Sequence, residues 1–82
     1  MKILEIRKLV ENHTEEELQV AELAYEEGSL PGFEIGGDNE GEQFTHVIAA
    51  RWILNKMNAD SLVFKEALRA YTSKVRESIN CN

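Results

Sequence analysis

The groups best placed for chemistry in this sequence gather around His46. Glu42 precedes it by one helical turn, and Asp38 and Glu40 stand just upstream. A neutral imidazole with neighbouring carboxylates is a donor set for a divalent metal. Asp38, Glu40, Glu42 and His46 are therefore the candidate residues for a metal or small-ligand site, at the start of the third expected helix. The pattern is thin: di-iron helical bundles take a Glu-x-x-His pair from each of two helices, and none occurs here. The ordinary alternative is a helix histidine, partly buried, with a hydrogen-bond partner, and this is the expectation.

Other constellations fail on spacing. Asp38-Asn39-Glu40-Gly41-Glu42 has the letters of a calcium loop in the wrong order, and an acidic turn before a helix N-terminus accounts for it. Gly36-Gly37 is followed by acids, where a phosphate-binding loop needs Lys and Ser or Thr. His13 with Glu16 and Glu17 reads as a polar helix junction. Cys81, next to the C-terminal residue, is expected to lack the scaffold a nucleophile needs. One cysteine also excludes an intrachain disulfide and a cysteine-based zinc cage. No catalytic residue is assigned, no cofactor is expected, and the chain reads as non-enzymatic.

Arg51 is a different matter. It lies among Phe44, Val47, Ile48 and Leu54 on the helix circumference, where a charge is costly unless paired. A structural role predicts a carboxylate partner such as Glu22 or Glu42. A functional role predicts a bidentate grip on an anion.

These residues are positioned by four expected helices. Ile3–Asn12 carries apolar residues at helical spacing. Thr14 with Glu17 is a capping box, which opens a second helix running to Glu27, and Gly28 ends it in the left-handed conformation. The third begins near Glu42 and ends at Asn58. A fourth, capped by Asp60 or Ser61, runs from Leu62 to Ile79 with Phe64, Leu68, Tyr71, Val75 and Ile79 in one stripe. Between the second and third helices, Gly28–Gly41 holds all five glycines and the single proline. There Phe33-Glu34-Ile35 alternates enough for one short strand. The fold class is all-α, a small four-helix domain.

Helices two and three are apolar beyond what one face needs. Val20, Leu23 and Ala24 lie opposite the core face of the second, and the third is apolar almost all round, which requires it to be surrounded. Either the loop covers the surplus, with Phe33 and Ile35 as plugs, or another chain does. The expected interface or buried-charge residues are Val20, Leu23, Phe33, Ile35, Arg51 and Trp52.

The 82 residues carry a net charge of −6. The charge is uneven: no Lys or Arg falls between Lys8 and Arg51, while eleven acids do. An acidic line (Glu15, Glu22, Glu26) on helix two and a basic line (Lys65, Arg69, Arg76) on helix four read either as solvated flanks or as mutual partners. Nucleic acid is not an expected partner for so acidic a chain. No run of about 18 apolar residues and no leader pattern is present, so neither a membrane nor secretion is expected. A cytoplasmic setting is.

Glu40-Gly41-Glu42-Gln43, Thr45-His46-Val47, Ala67-Leu68-Arg69, Tyr71-Thr72 and Lys74-Val75-Arg76 together resemble a family of short, uncharacterised bacterial proteins. The resemblance implies a bacterial origin and carries no activity, ligand or catalytic residue. The leading expectation is a self-associating, homodimeric interaction module; the alternative is a metal or small-ligand site at the start of the third helix.

Overall fold

The computed structural model describes residues 2–80, with side chains through Arg76. Among them are four helices, α1 (Ile3–Asn12), α2 (Glu15–Glu26), α3 (Glu40–Asp60) and α4 (Phe64–Asn80), and no strand. The fold class is all-α, as expected. The side chain of Ile79 and all of Cys81 lie outside the described residues.

Local chemistry sets most of the helix ends. Thr14 Oγ1 accepts from the Glu17 N–H at 3.2 Å while the Glu17 carboxylate accepts from the Thr14 N–H at 2.9 Å, the reciprocal box expected at α2. Its other end closes as a Schellman turn. Gly28 has φ +77°, its N–H donates to Tyr25 at 3.1 Å, and the Ser29 N–H reaches back to Ala24 at 2.7 Å.

The third helix departs from expectation at both ends. It starts two residues early because Asn39 caps it, accepting from the Glu42 N–H at 2.8 Å. It continues past Asn58 and stops at Ser61, a non-glycine residue at φ +55°. Leu62, whose N–H donates to Met57 at 3.0 Å, folds back against the core, and this apolar contact fixes the left-handed turn there rather than at Asn58. Asp60 and Ser61 are consequently used up by α3, and α4 begins at Phe64. Its Glu66 carboxylate takes the Val63 N–H at 3.5 Å.

α3 is the hub. It packs against α1, α2 and α4, while those three touch one another only slightly. Ile6, Leu9 and Val10 of α1, Leu18 and Ala21 of α2, Val47, Ala49, Ala50 and Ile53 of α3, and Ala67 of α4 form the buried core. Burying Ile53 completely contributes about 1.5–3 kcal/mol. The alanines let the neighbouring backbones come close. Ile35 joins this core from the loop, 6% exposed. That is the plug role the sequence allowed for Ile35, and it corrects the expected strand: among the described residues no strand forms at Phe33-Glu34-Ile35. Phe33 stacks on His13 instead, ring centroids 3.8 Å apart. Ile3 and Leu4 of α1 stay exposed.

Candidate functional site

Two regions of α3 hold the residues that the sequence singles out. The first is its N-terminal end. His46 is fully buried, and both ring nitrogens are engaged by backbone groups. Nε2 accepts from the Lys2 N–H at 2.9 Å, and Nδ1 lies 2.7 Å from the Gly36 carbonyl. An amide can only donate and a carbonyl can only accept, so the ring is neutral with its hydrogen on Nδ1. His46 thereby ties the start of α1 and the loop to α3. It is buried more deeply than the sequence suggested, and it has two partners rather than one.

The carboxylates around it point elsewhere. Asp38 pairs with Lys2 Nζ at 3.2 Å on the surface, and the Lys2 pKa is raised chiefly by that hydrogen bond and by the charge of Asp38. The Glu42 carboxylate accepts from the Asp38 N–H at 3.1 Å. Glu40 is exposed in the first turn of α3. Among the described residues, no three His, Cys, Asp or Glu side chains come together to hold a metal ion. Gly37 completes this end. Its φ is +152°, and a Cβ there would stand 3.0 Å from the Gln43 backbone nitrogen.

The second region is the side of α3 that faces away from α1. Arg51 pairs with Glu22 of α2, one of the two carboxylates the structural reading offered; Glu42, the other, is occupied elsewhere. The Arg51 side chain is 40% exposed, so this is a partly solvated pair rather than a buried charge. Trp52 is half-buried against Tyr71 of α4, with Lys74 Nζ 5.3 Å from its ring centroid. Burial raises the Tyr71 pKa. Across the helix, Tyr25 of α2 donates to Gln43 at 2.9 Å, and burial, then the charge of Glu40, raises its pKa. Between α2 and this side of α3 lies a groove of about 420 Å³, with Ile48 and Asn55 among its α3 lining residues and Glu15, Gln19 and Glu22 on the α2 wall.

The remaining interface candidates divide. Val20 and Leu23 stand 60% and 46% exposed on the outer side of α2. Phe33 is partly buried beside His13, within the chain's own loop. Among the described residues no ion pair joins the acidic line of α2 to the basic line of α4, whose Lys65, Arg69 and Arg76 are exposed. Ile48, which sequence reasoning did not single out as an interface residue, is exposed on the groove floor. Its signal was present in the all-round apolarity of α3.

These features define a small all-α protein built on a central helix with one side left uncovered. The chain belongs to a family of unknown function (DUF6952), whose model matches residues 1–80. That agrees with the resemblance to short proteins without an assigned activity. No curated protein and no solved structure matches the chain. Among the described residues, no helix is long and apolar enough to cross a membrane.

Proposed function

We propose that this protein is a non-enzymatic interaction module that works as a homodimer, in the bacterial cytoplasm. The observation that carries this is the uncovered side of the hub helix. A helix that is apolar all round is stable in water only when surrounded, and α1, α2 and α4 surround α3 on three sides. Ile48 is left 37% exposed there, beside a half-buried Trp52. This is apolar surface in surplus of what the chain's own helices cover. A second copy with two-fold symmetry disposes of that surplus using one self-complementary surface. The single cysteine accords with a reducing compartment, and the net charge of −6 disfavours a phosphate-backbone partner.

Sedimentation equilibrium at micromolar concentration tests the proposal. The expected mass is that of two chains. A mass of one chain across the accessible concentration range would overturn it.

A further inference from the structure

We propose that the pairing surface is the open side of α3 itself and that the two copies run parallel along it. This builds on the self-association reading and adds the face and its polarity. Gly41, Thr45, Ile48, Trp52, Asn55 and Ala59 follow one another at steps of four and three residues. That is the spacing of a coiled-coil seam. All but the half-buried Trp52 are exposed, and none is charged, although α3 as a whole carries Glu40, Glu42, Arg51, Lys56 and Asp60. Small residues stand towards both ends of the seam and large apolar ones at its centre, so a second helix can approach closely along its whole length.

The size is right for a stable pair. The molecule measures 31 × 31 × 20 Å. Three helices side by side, each about 10–12 Å across, and the length of α3 account for a broad face, with α1 behind it. Such a face supplies about the 800 Å² per partner of an ordinary specific interface. The outer side of α2 is a poorer candidate. Around Val20 and Leu23 lie Glu16, Glu26 and Glu27, and a two-fold pair there would bring six carboxylates together.

Charge selects the polarity. Phe44 and Arg51 lean to α2, and Trp52 leans to α4, so these helices flank the seam on opposite sides. An antiparallel pair would lay the α2 wall of one copy, where Arg51 neutralises Glu22 and Glu15 keeps its charge, on the same wall of the other. A parallel pair lays it on the α4 wall, where Lys74 stands. Parallel pairing also sets Asn55 opposite itself, where two carboxamides can hydrogen-bond and fix the register, as a lone seam asparagine does in coiled coils.

Cysteine cross-linking tests face and polarity together. In a Cys81→Ser background, Thr45→Cys and Asn55→Cys are each oxidised mildly at micromolar concentration, beside Leu23→Cys. Both seam variants should pass largely into disulfide-linked dimer while Leu23→Cys stays monomeric on a denaturing gel. Cross-linking by only one seam variant would indicate an antiparallel crossing and overturn the polarity. Cross-linking by Leu23→Cys would overturn the face and leave self-association standing; cross-linking by none while sedimentation still gives the two-chain mass would overturn the parallel polarity. Ile48→Asp gives an independent reading at the seam's centre. It should raise the dimer dissociation constant at least tenfold, and an unchanged constant would overturn the face as well.

Discussion

Two residues apart on the same helix, His46 and Ile48 meet opposite environments. His46 turns inward, is fully buried, and spends both ring nitrogens on backbone groups of two other segments. Ile48 turns outward and is left 37% exposed in the groove beside α2. A polar side chain is thus complete where an apolar one is not. The contrast separates what the chain needs in order to fold from what it leaves for something else to complete. The His46 end joins segments 44 and 10 residues away and makes one body of them. The Ile48 side is linked within the chain by the partly solvated Arg51–Glu22 pair and the Trp52–Tyr71 contact, at the surface rather than in the core.

Substitution at each residue should therefore fail in a different way. His46→Ala removes a buried ring and strands an N–H and a carbonyl, and should cost about 2–4 kcal/mol of folding stability. The loss should be the same at every protein concentration, read as the shift in the urea midpoint. Ile48→Asp should leave the melting temperature of the dilute protein nearly unchanged. What it should abolish is the rise in melting temperature with concentration that mass action gives a self-associating chain. If His46→Ala melts like the parent, the two backbone bonds are not holding α1 and the loop to α3, and the contrast between the two regions collapses.

A smaller effect is expected at the capping box of α2, which lies outside both regions. Thr14→Ala leaves the Glu17 N–H without its acceptor and should lower stability by about 0.5–2 kcal/mol. Thr14→Ser should restore most of it, because serine keeps the oxygen. An unchanged denaturant midpoint for Thr14→Ala would mean that Glu17 is satisfied by water at no cost.

What could be read from the sequence follows the range of the interactions involved. The bounds of α1, the Thr14–Glu17 box and the Gly28 turn were legible, because residue type and spacing fully state the chemistry, whereas for Arg51 the sequence named a carboxylate partner but left Glu22 and Glu42 open. The end of α3 was not. Asn58 and Ser61 both tolerate the left-handed conformation, and the choice between them rests on Leu62 folding back against the core. The role of His46 was legible only in outline. Its partners are the main-chain groups of Lys2 and Gly36, which every residue other than proline possesses in the same form. No pattern of side chains could mark them. The short strand was misread because alternation in Phe33-Glu34-Ile35 records only that Ile35 and Phe33 avoid water. It does not distinguish a strand edge from two separate contacts, one with the core and one with His13.

The smallest effect belongs to Arg51, which sits between the two regions in character. Its pair with Glu22 bridges α3 to α2 on the open side, and with the guanidinium 40% exposed, solvent screens most of the attraction. Such pairs are worth about 0–1 kcal/mol, so Arg51→Met should change folding stability by less than about 1 kcal/mol in either direction. Glu22 is the less exposed partner, 17% against 40%, and removing only its charge with Glu22→Gln should cost no less than Arg51→Met. Salt sharpens the comparison further. Raising ionic strength should narrow the difference between the parent and Arg51→Met, whereas the loss caused by His46→Ala, which involves no ion pair, should not depend on salt. Chemical denaturation of the three variants in urea, at low and high sodium chloride, reads all of this in one series. A salt-insensitive loss above about 2 kcal/mol for Arg51→Met would mean that Arg51 is a buried charge, and would move the open side of α3 into the class of interactions that hold the fold together.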